Sequence, residues 1–308
     1  MDLITIQNSD ITVVGHFSID SILLPSRATP VVVLGGSVTY VSLVARRLET
    51  SVSVISKVGE DFPEAYMGWL QEEGVDLSRV IKIKNEHTTR FELEYSEDLA
   101  NRTLKLRSKA PPITLIDAPI FLSTKAVHIA PIGDEISFDV VDRLKSGAEV
   151  LSIDPQGLLR SFDENGTVAY TAAIDKRMLG LADIYKSSAD EISLVTGKSD
   201  LHSAIKAVHE LGVEIVIVTR GAKGAALSVE KTLYDVPVFT PDVVVDPTGA
   251  GDVFIGGFLA EYIHQKDPLW CACVGSAAAS VIVQGIGPTF PVDKEEIYRR
   301  ADVIYEKK

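Results

Sequence analysis

Six short apolar runs, at residues 12–14, 52–55, 126–129, 150–153, 184–185 and 215–218, alternate with helical patterns along the chain. None shows the polar alternation of a strand with one wet face, so each is expected to be covered on both sides. Strands of that kind, interleaved with helices, predict an α/β fold with a largely parallel sheet sandwiched by helices. At 308 residues and 46% hydrophobic, the chain can bury one such core with a small appendage. Two segments break the pattern: residues 22–34, and residues 88–107 with Phe91, Leu93, Tyr95, Leu104 and Leu106 in period-two alternation. That period predicts a small sheet with one face in water. The expected organisation is a single domain over residues 1–308, with these strands as insertions and no linear boundary.

Charge narrows the partners. Forty-three acidic residues against 30 basic ones give a formal charge of −13, which repels nucleic acid backbones and anionic membrane surfaces. Neither is an expected partner. No run reaches the roughly 18 apolar residues that span a bilayer, and no leader-like apolar stretch opens the chain. Cys271 and Cys273 lie two apart in a helical pattern, about 200° around a ~3.6-residue turn, where they do not bridge each other. These features together predict a cytoplasmic protein. The six histidines, His16 and His128 among them, lack metal-ligand spacing.

The chemistry concentrates in Val243-Val244-Val245-Asp246-Pro247-Thr248-Gly249-Ala250-Gly251-Asp252 and the apolar segment that follows, residues 253–263. It predicts a small-residue turn between a buried strand and a buried helix. There the N–H groups of Gly249, Ala250, Gly251 and Asp252 can converge on one anion, and a phosphate fits. Glycine permits both the close approach and the positive φ that such a nest needs. Asp252 stands beside it as a carboxylate suited to accept a proton from an attacking hydroxyl. The plainer alternative is an aspartate that caps a helix.

The string DPTGAGDVFIGGF (246–258) resembles the second signature of the PfkB, or ribokinase-like, family of carbohydrate and nucleoside kinases. Other stretches agree in order: ITVVGHFSID (11–20), Gly35-Gly36-Ser37, KVGEDF (57–62) with EEGVD (72–76), and VTRGAKGA (218–225). The resemblance implies a ribokinase-like α/β fold whose inserted strands form a lid over the substrate, a lid that family members often use as a dimer contact. It implies ATP and Mg2+ as cofactors and a small sugar, polyol or nucleoside as acceptor.

Residue by residue, the resemblance assigns Asp20 to the acceptor hydroxyls, where a carboxylate suits a vicinal diol. Gly35 and Gly36 match backbone positions close to the acceptor. Asp252 becomes the general base, with Gly249, Ala250 and Gly251 as the anion hole. Lys186-Ser187-Ser188-Ala189-Asp190-Glu191 takes the place of the Asn-x-x-Glu motif, so Glu191 organises Mg2+ largely through water and Lys186 lies near the nucleotide. Ser188 stands where the family has asparagine. Thr219, Gly221 and Gly224 match the nucleotide-binding segment, and Thr248 and Gly251 adjoin its phosphates. Some members bind a monovalent cation beside the nest, and Asp246 with Gly285-Ile286-Gly287-Pro288 could support K+ here. Each residue also has a mundane role: a turn for Asp20, Gly35 and Gly36, a surface helix position for Glu191, an exposed strand arginine for Arg90 on the lid.

Two departures bear on the acceptor. Sugar kinases of the family usually carry asparagine five positions after the first glycine of the pair, and this chain has Tyr40. After the run ending at Ile153 comes DPQGLLR (154–160), where sugar kinases often have asparagine and arginine. The glutamine-glycine form resembles the inositol kinase branch, as do GHFSID (15–20) and VHIAPI (127–132). Gln156 could offer a donor and an acceptor, and Arg160 a guanidinium, to a hydroxyl or phosphate oxygen; alternatively Arg160 is solvated in a polar turn. Myo-inositol is thus the first acceptor to consider, with a nucleoside kinase or another sugar kinase of the same fold as the alternative. A non-catalytic sugar- or nucleotide-binding regulator is disfavoured by the intact Gly-Ala-Gly-Asp. A dinucleotide-dependent oxidoreductase lacks its Gly-x-Gly-x-x-Gly, and no Walker A motif is present.

Overall fold

In the computed structural model, which describes residues 8–99 and 101–307, the apolar runs become the centre of a nine-stranded sheet. Its spatial order is Thr232–Val236, Ala225–Val229, Ile215–Thr219, Ile184–Ser188, Ala148–Ile153, Ser123–Ile129, Asn8–Val14, Val52–Gly59 and Val75–Ile83. Every pairing from Ile215–Thr219 to Val75–Ile83 is parallel, and the two strands at the other edge are antiparallel. Near-continuous burial along the central strands is what their unbroken apolar sequence requires.

Two apolar clusters cover the sheet. One gathers the helices Ser37–Arg47, Ala250–Tyr262 and Pro268–Ile282; the other gathers Phe138–Lys145, Ala189–Thr196 and Leu201–His209. Ala250–Tyr262 is apolar nearly all round because it is buried from Val253 to Glu261. Cys271 and Cys273 are both buried thiols, with no disulfide between them. Among the described residues, no helix is long and apolar enough to cross a membrane.

A second, four-stranded sheet stands apart, in the order Val31–Gly35, Ser18–Leu23, Thr89–Tyr95 and Arg102–Ser108. Its inner residues Ile22, Phe91, Leu93, Tyr95 and Leu104 form their own cluster, while Glu92, Glu94, Lys105 and Arg107 face out. The inserted sheet therefore starts at Ser18 rather than residue 22, because the chain leaves the main sheet at Gly15, whose φ is 157°. A further correction concerns residues 243–245. They form no strand, and Val243 and Val244 are 52% and 48% exposed. Three valines signal a strand only if a neighbour offers its edge; here Val245 and Asp246 donate instead to the single carbonyl of Val283.

Candidate active site

Strand order reverses on either side of Asn8–Val14, so a crevice opens beyond the carboxyl ends of the strands, the usual position for a ligand in an open α/β sheet. The Ala250–Tyr262 helix begins there. Its N-cap, Gly249, has φ 78°, and a Cβ at that position would lie 2.4 Å from the Tyr40 ring, so only glycine fits. The nest is smaller than expected: Ala250 N–H donates to Pro247 O at 3.2 Å, closing the turn. The N–H groups of Gly249, Gly251 and Asp252 take no backbone acceptor among the described residues and remain for an anion.

Asp252 sits at the rim of a cavity of about 50 Å3 whose walls include Asp20, Arg102, Gln156 and Arg160. Burial pushes its carboxyl above the usual range; Lys186 pulls it down and Asp154 pushes it back up. Lys186 Nζ is 2.5 Å from Asp154 Oδ2, and both side chains are buried. Burial opposes the ammonium charge, but Asp154, Asp252 and Glu191 outweigh it and hold Lys186 above its ordinary value. The same Nζ lies 2.8 Å from where a Cβ on Gly251 would stand, so a buried cation borders the nest. A lone ammonium there would cost several kcal/mol in desolvation, which the Asp154 contact offsets.

Asp20 is on the inserted sheet, in Ser18–Leu23, and not at a carboxyl end of the main sheet. It is 6% exposed, accepts from Ser18 Oγ at 2.7 Å, and packs on Gly35, where a Cβ would lie 2.0 Å from its Oδ2. Burial pushes its carboxyl up to about 6, against the pull of Ser18, Arg102 and Arg160. Gly36 lines the same cavity. From the facing strands of the inserted sheet, Arg102 donates to Tyr95 Oη at 2.9 Å, and Tyr95 Oη lies 2.8 Å from Thr248 Oγ1. Arg90 instead points to Asp61, at 2.9 Å, and is the exposed strand arginine.

Gln156 and Arg160 arrive together on the turn after Ala148–Ile153. Arg160 donates to Ile132 O at 2.7 Å and to Gln156 Oε1 at 2.9 Å, so it is buried in protein contacts instead of solvated. Gln156 Nε2 donates to Ser37 Oγ at 2.7 Å and to Asp252 Oδ1 at 3.0 Å. Its donors are therefore taken within the protein, contrary to the expectation that they are offered to an acceptor.

Ser188 and Thr219 are paired across neighbouring parallel strands, with Gly221 and Gly224 in the turn beyond. Glu191 closes a capping box: Oε2 accepts from Ser188 N at 2.7 Å, and Ser188 Oγ accepts from Glu191 N at 3.3 Å. Serine at 188 thus has a local cause, as a helix cap. Asp246 is 2% exposed; its Oδ1 accepts from Thr248 N at 2.9 Å, while Oδ2 is buried without a hydrogen-bond partner. An orphaned buried carboxylate oxygen fits a small cation. No group of three or more His, Cys, Asp or Glu gathers for a metal among the described residues. His16 and His128 are buried in structural hydrogen bonds to Thr89 and Ser152.

Sequence reasoning gave four contributors no role of their own. Asp154 was read only as the first residue of DPQGLLR, yet it anchors Lys186 and also accepts from Gln156 N at 3.1 Å. Ser37 was read only as part of Gly35-Gly36-Ser37, and Tyr95 and Arg102 carried no motif; period-two alternation put Tyr95 on the inner face, which was the one available signal there.

Free N–H groups at a helix start, a carboxylate beside them and a cavity under the inserted sheet are parts that a phosphotransferase with an alcohol group as acceptor requires. The chain belongs to the pfkB family of carbohydrate kinases, whose model matches residues 8–295. It is 29% identical to a cytidine kinase of Thermococcus kodakarensis, over 90% of this chain and 97% of that one. It is 28% identical to an inositol 3-kinase of Arabidopsis thaliana, over 96% of this chain and 81% of the relative. Among solved structures, a sulfate complex of a pyrophosphate-dependent kinase in the ribokinase family superposes with a TM-score of 0.81 at 25% identity, covering 94% of this chain and 99% of that one. The protein is therefore a kinase of the class that acts on sugars, polyols or nucleosides.

Proposed function

We propose that the protein transfers the γ-phosphoryl group of ATP to a hydroxyl of a small polyol of the inositol type. The observation that carries this reading is the charged lining of one cavity, to which Asp20, Arg102, Arg160 and Asp252 all contribute. Charged groups that approach one cavity from several sides suit a ligand with hydroxyls around its ring.

In this reading Asp20 and Arg102 hold acceptor hydroxyls, and Asp252 faces the one that reacts. As that oxygen bonds to phosphorus, its proton passes to Asp252 and the bond from phosphorus to the departing ADP oxygen breaks. The Gly249, Gly251 and Asp252 amides and the Lys186 ammonium hold the charge on the moving group. Thr219, Gly221, Gly224 and Thr248 line the donor's path. Mg2+, when bound with the donor, neutralises polyphosphate charge, and Glu191 would hold it through water, consistent with an ion that keeps most of its hydration. Asp246, with the loop at Gly285–Pro288, would hold K+ through its orphaned oxygen. Closure of the inserted sheet would exclude water and limit idle hydrolysis. As in other members of the family, that sheet would also serve as the contact of a homodimer.

A nucleoside acceptor is the second reading. It is favoured by the apolar stretch of the cavity wall at Phe91, Leu93 and Leu104 and by likeness to the cytidine kinase. A coupled assay with myo-inositol, ribose, fructose, cytidine and adenosine tests both, run with ATP and separately with pyrophosphate as donor. Turnover of myo-inositol above the others is expected. No rate with myo-inositol and a clear one with cytidine would transfer the assignment to the nucleoside class.

A further inference from the structure

We infer that Gln156 is a positioning residue that orients the base Asp252, and that Arg160 acts through it. The inference rests on the reading of Asp252 as the base, and it turns on how one amide is spent. Arginine can only donate, so the 2.9 Å contact from Arg160 to Gln156 identifies the receiving atom as the amide oxygen. The amide nitrogen must then face the other way. It has two hydrogens, and both have acceptors: Ser37 Oγ at 2.7 Å and Asp252 Oδ1 at 3.0 Å. Nothing is left over for an acceptor molecule.

The backbone reinforces this. Asp154 Oδ1 accepts from Gln156 N at 3.1 Å while its Oδ2 holds Lys186, so the turn carrying Gln156 is tied to the cation beside the nest. Arg160 is fixed at its other end by Ile132 O at 2.7 Å. The relay from Ile132 O through Arg160 and Gln156 to Asp252 has no free rotor. A carboxylate held by an amide donor cannot swing away from the cavity, and it is favoured in its ionised, proton-accepting form. The other groups facing Asp252 are Lys186 and Asp154 from the main sheet side, and Ser37 and Tyr40 from the Ser37–Arg47 helix. Burial sets the carboxyl high; Lys186, Ser37 and Arg160 lower it, and Asp154 raises it.

Selective 13C labelling of aspartate carboxyls, with the Asp252 resonance assigned through Asp252→Asn, reads the titration of that group without any substrate. In Gln156→Leu the Asp252 titration is expected to move up by roughly one pH unit, since a donor to the ionised form is lost. Gln156→Glu keeps an oxygen for Arg160 but replaces the donor with a charge, and a larger upward move is expected. With myo-inositol or cytidine as acceptor, the acid limb of kcat/KM is expected to follow the resonance, with KM little changed. An unmoved Asp252 titration in both variants, with a raised acceptor KM, would overturn the inference and return Gln156 to acceptor binding. If the leucine variant fails to fold by circular dichroism, the glutamate variant alone decides. If the wild type turns over neither acceptor, the proposed function fails, and the resonance still judges the relay.

Discussion

Tyr95 Oη lies 2.8 Å from Thr248 Oγ1, across 153 residues of sequence, and joins the inserted sheet to the loop that opens the Ala250–Tyr262 helix. This bond couples the cover of the cavity to the phosphate nest. Tyr95→Phe loses this bond, worth about 1 kcal/mol as one between neutral groups, together with the oxygen that accepts from Arg102. The expected result is an acceptor KM raised about fivefold, with faster ATP hydrolysis in the absence of acceptor. Initial rates with and without acceptor check it.

Asp252→Asn keeps the shape of the side chain and its contact with Gln156 but cannot take a proton. Turnover should fall by about 10²–10⁴, the range for a lost general base. Nucleotide affinity, measured by calorimetry, should be unchanged. Wild-type turnover in this variant would refute the role of Asp252.

Asp20 makes stability and function pull apart. Its carboxyl titrates at about 6 in the folded protein against 3.8 ordinarily, so the folded state binds the proton more tightly. Stability contributed by that group is full below pH 4 and is lost as pH rises through 6. Asp20→Asn should therefore be more stable than the wild type at pH 8, by about 1–3 kcal/mol, and equal to it below pH 4. Acceptor affinity should drop in the same variant. Thermal melts across pH and an acceptor titration measure the two effects.

Gly249→Ala would put a methyl group 2.4 Å from the Tyr40 ring at φ 78°. The left-handed backbone alone costs about 1–2 kcal/mol for a residue with a Cβ, and the clash adds more. A lowered urea midpoint and a larger loss in kcat than in nucleotide affinity are expected. A variant as stable as the wild type would contradict the packing of Tyr40 on the turn.

Asp246 Oδ2 is buried and unpaired. If it holds a monovalent cation, turnover should rise in K+ relative to tetramethylammonium, and Asp246→Asn should abolish that difference. Equal salt response in both proteins would assign the orphaned oxygen to another partner.

The architecture was legible because burial on both faces leaves a direct trace: unbroken apolar runs such as Val216, Ile217 and Val218. The convergence of Asp20, Gly36, Gln156, Arg160 and Asp252 was legible because each sits in a short motif. What escaped depended on partners distant in sequence. Asp154 needs Lys186, 32 residues away, and Tyr95 needs Thr248. Gln156 was visible as polar, but whether its hydrogens faced outward or were taken by Ser37 and Asp252 could not be read from a turn. Val243 and Val244 misled for the converse reason, since strand preference is decided by the neighbouring edge.

Asp20 and Arg102 belong to the inserted sheet, whereas Asp252, Lys186 and the nest belong to the main body. In the proposed function, then, the inserted sheet would supply part of the acceptor's surroundings and the main body the reacting groups. On that reading, exchanging the two hairpins for those of a relative would alter the preferred alcohol while the phosphate machinery stayed in place, and selectivity would be partly a transplantable trait.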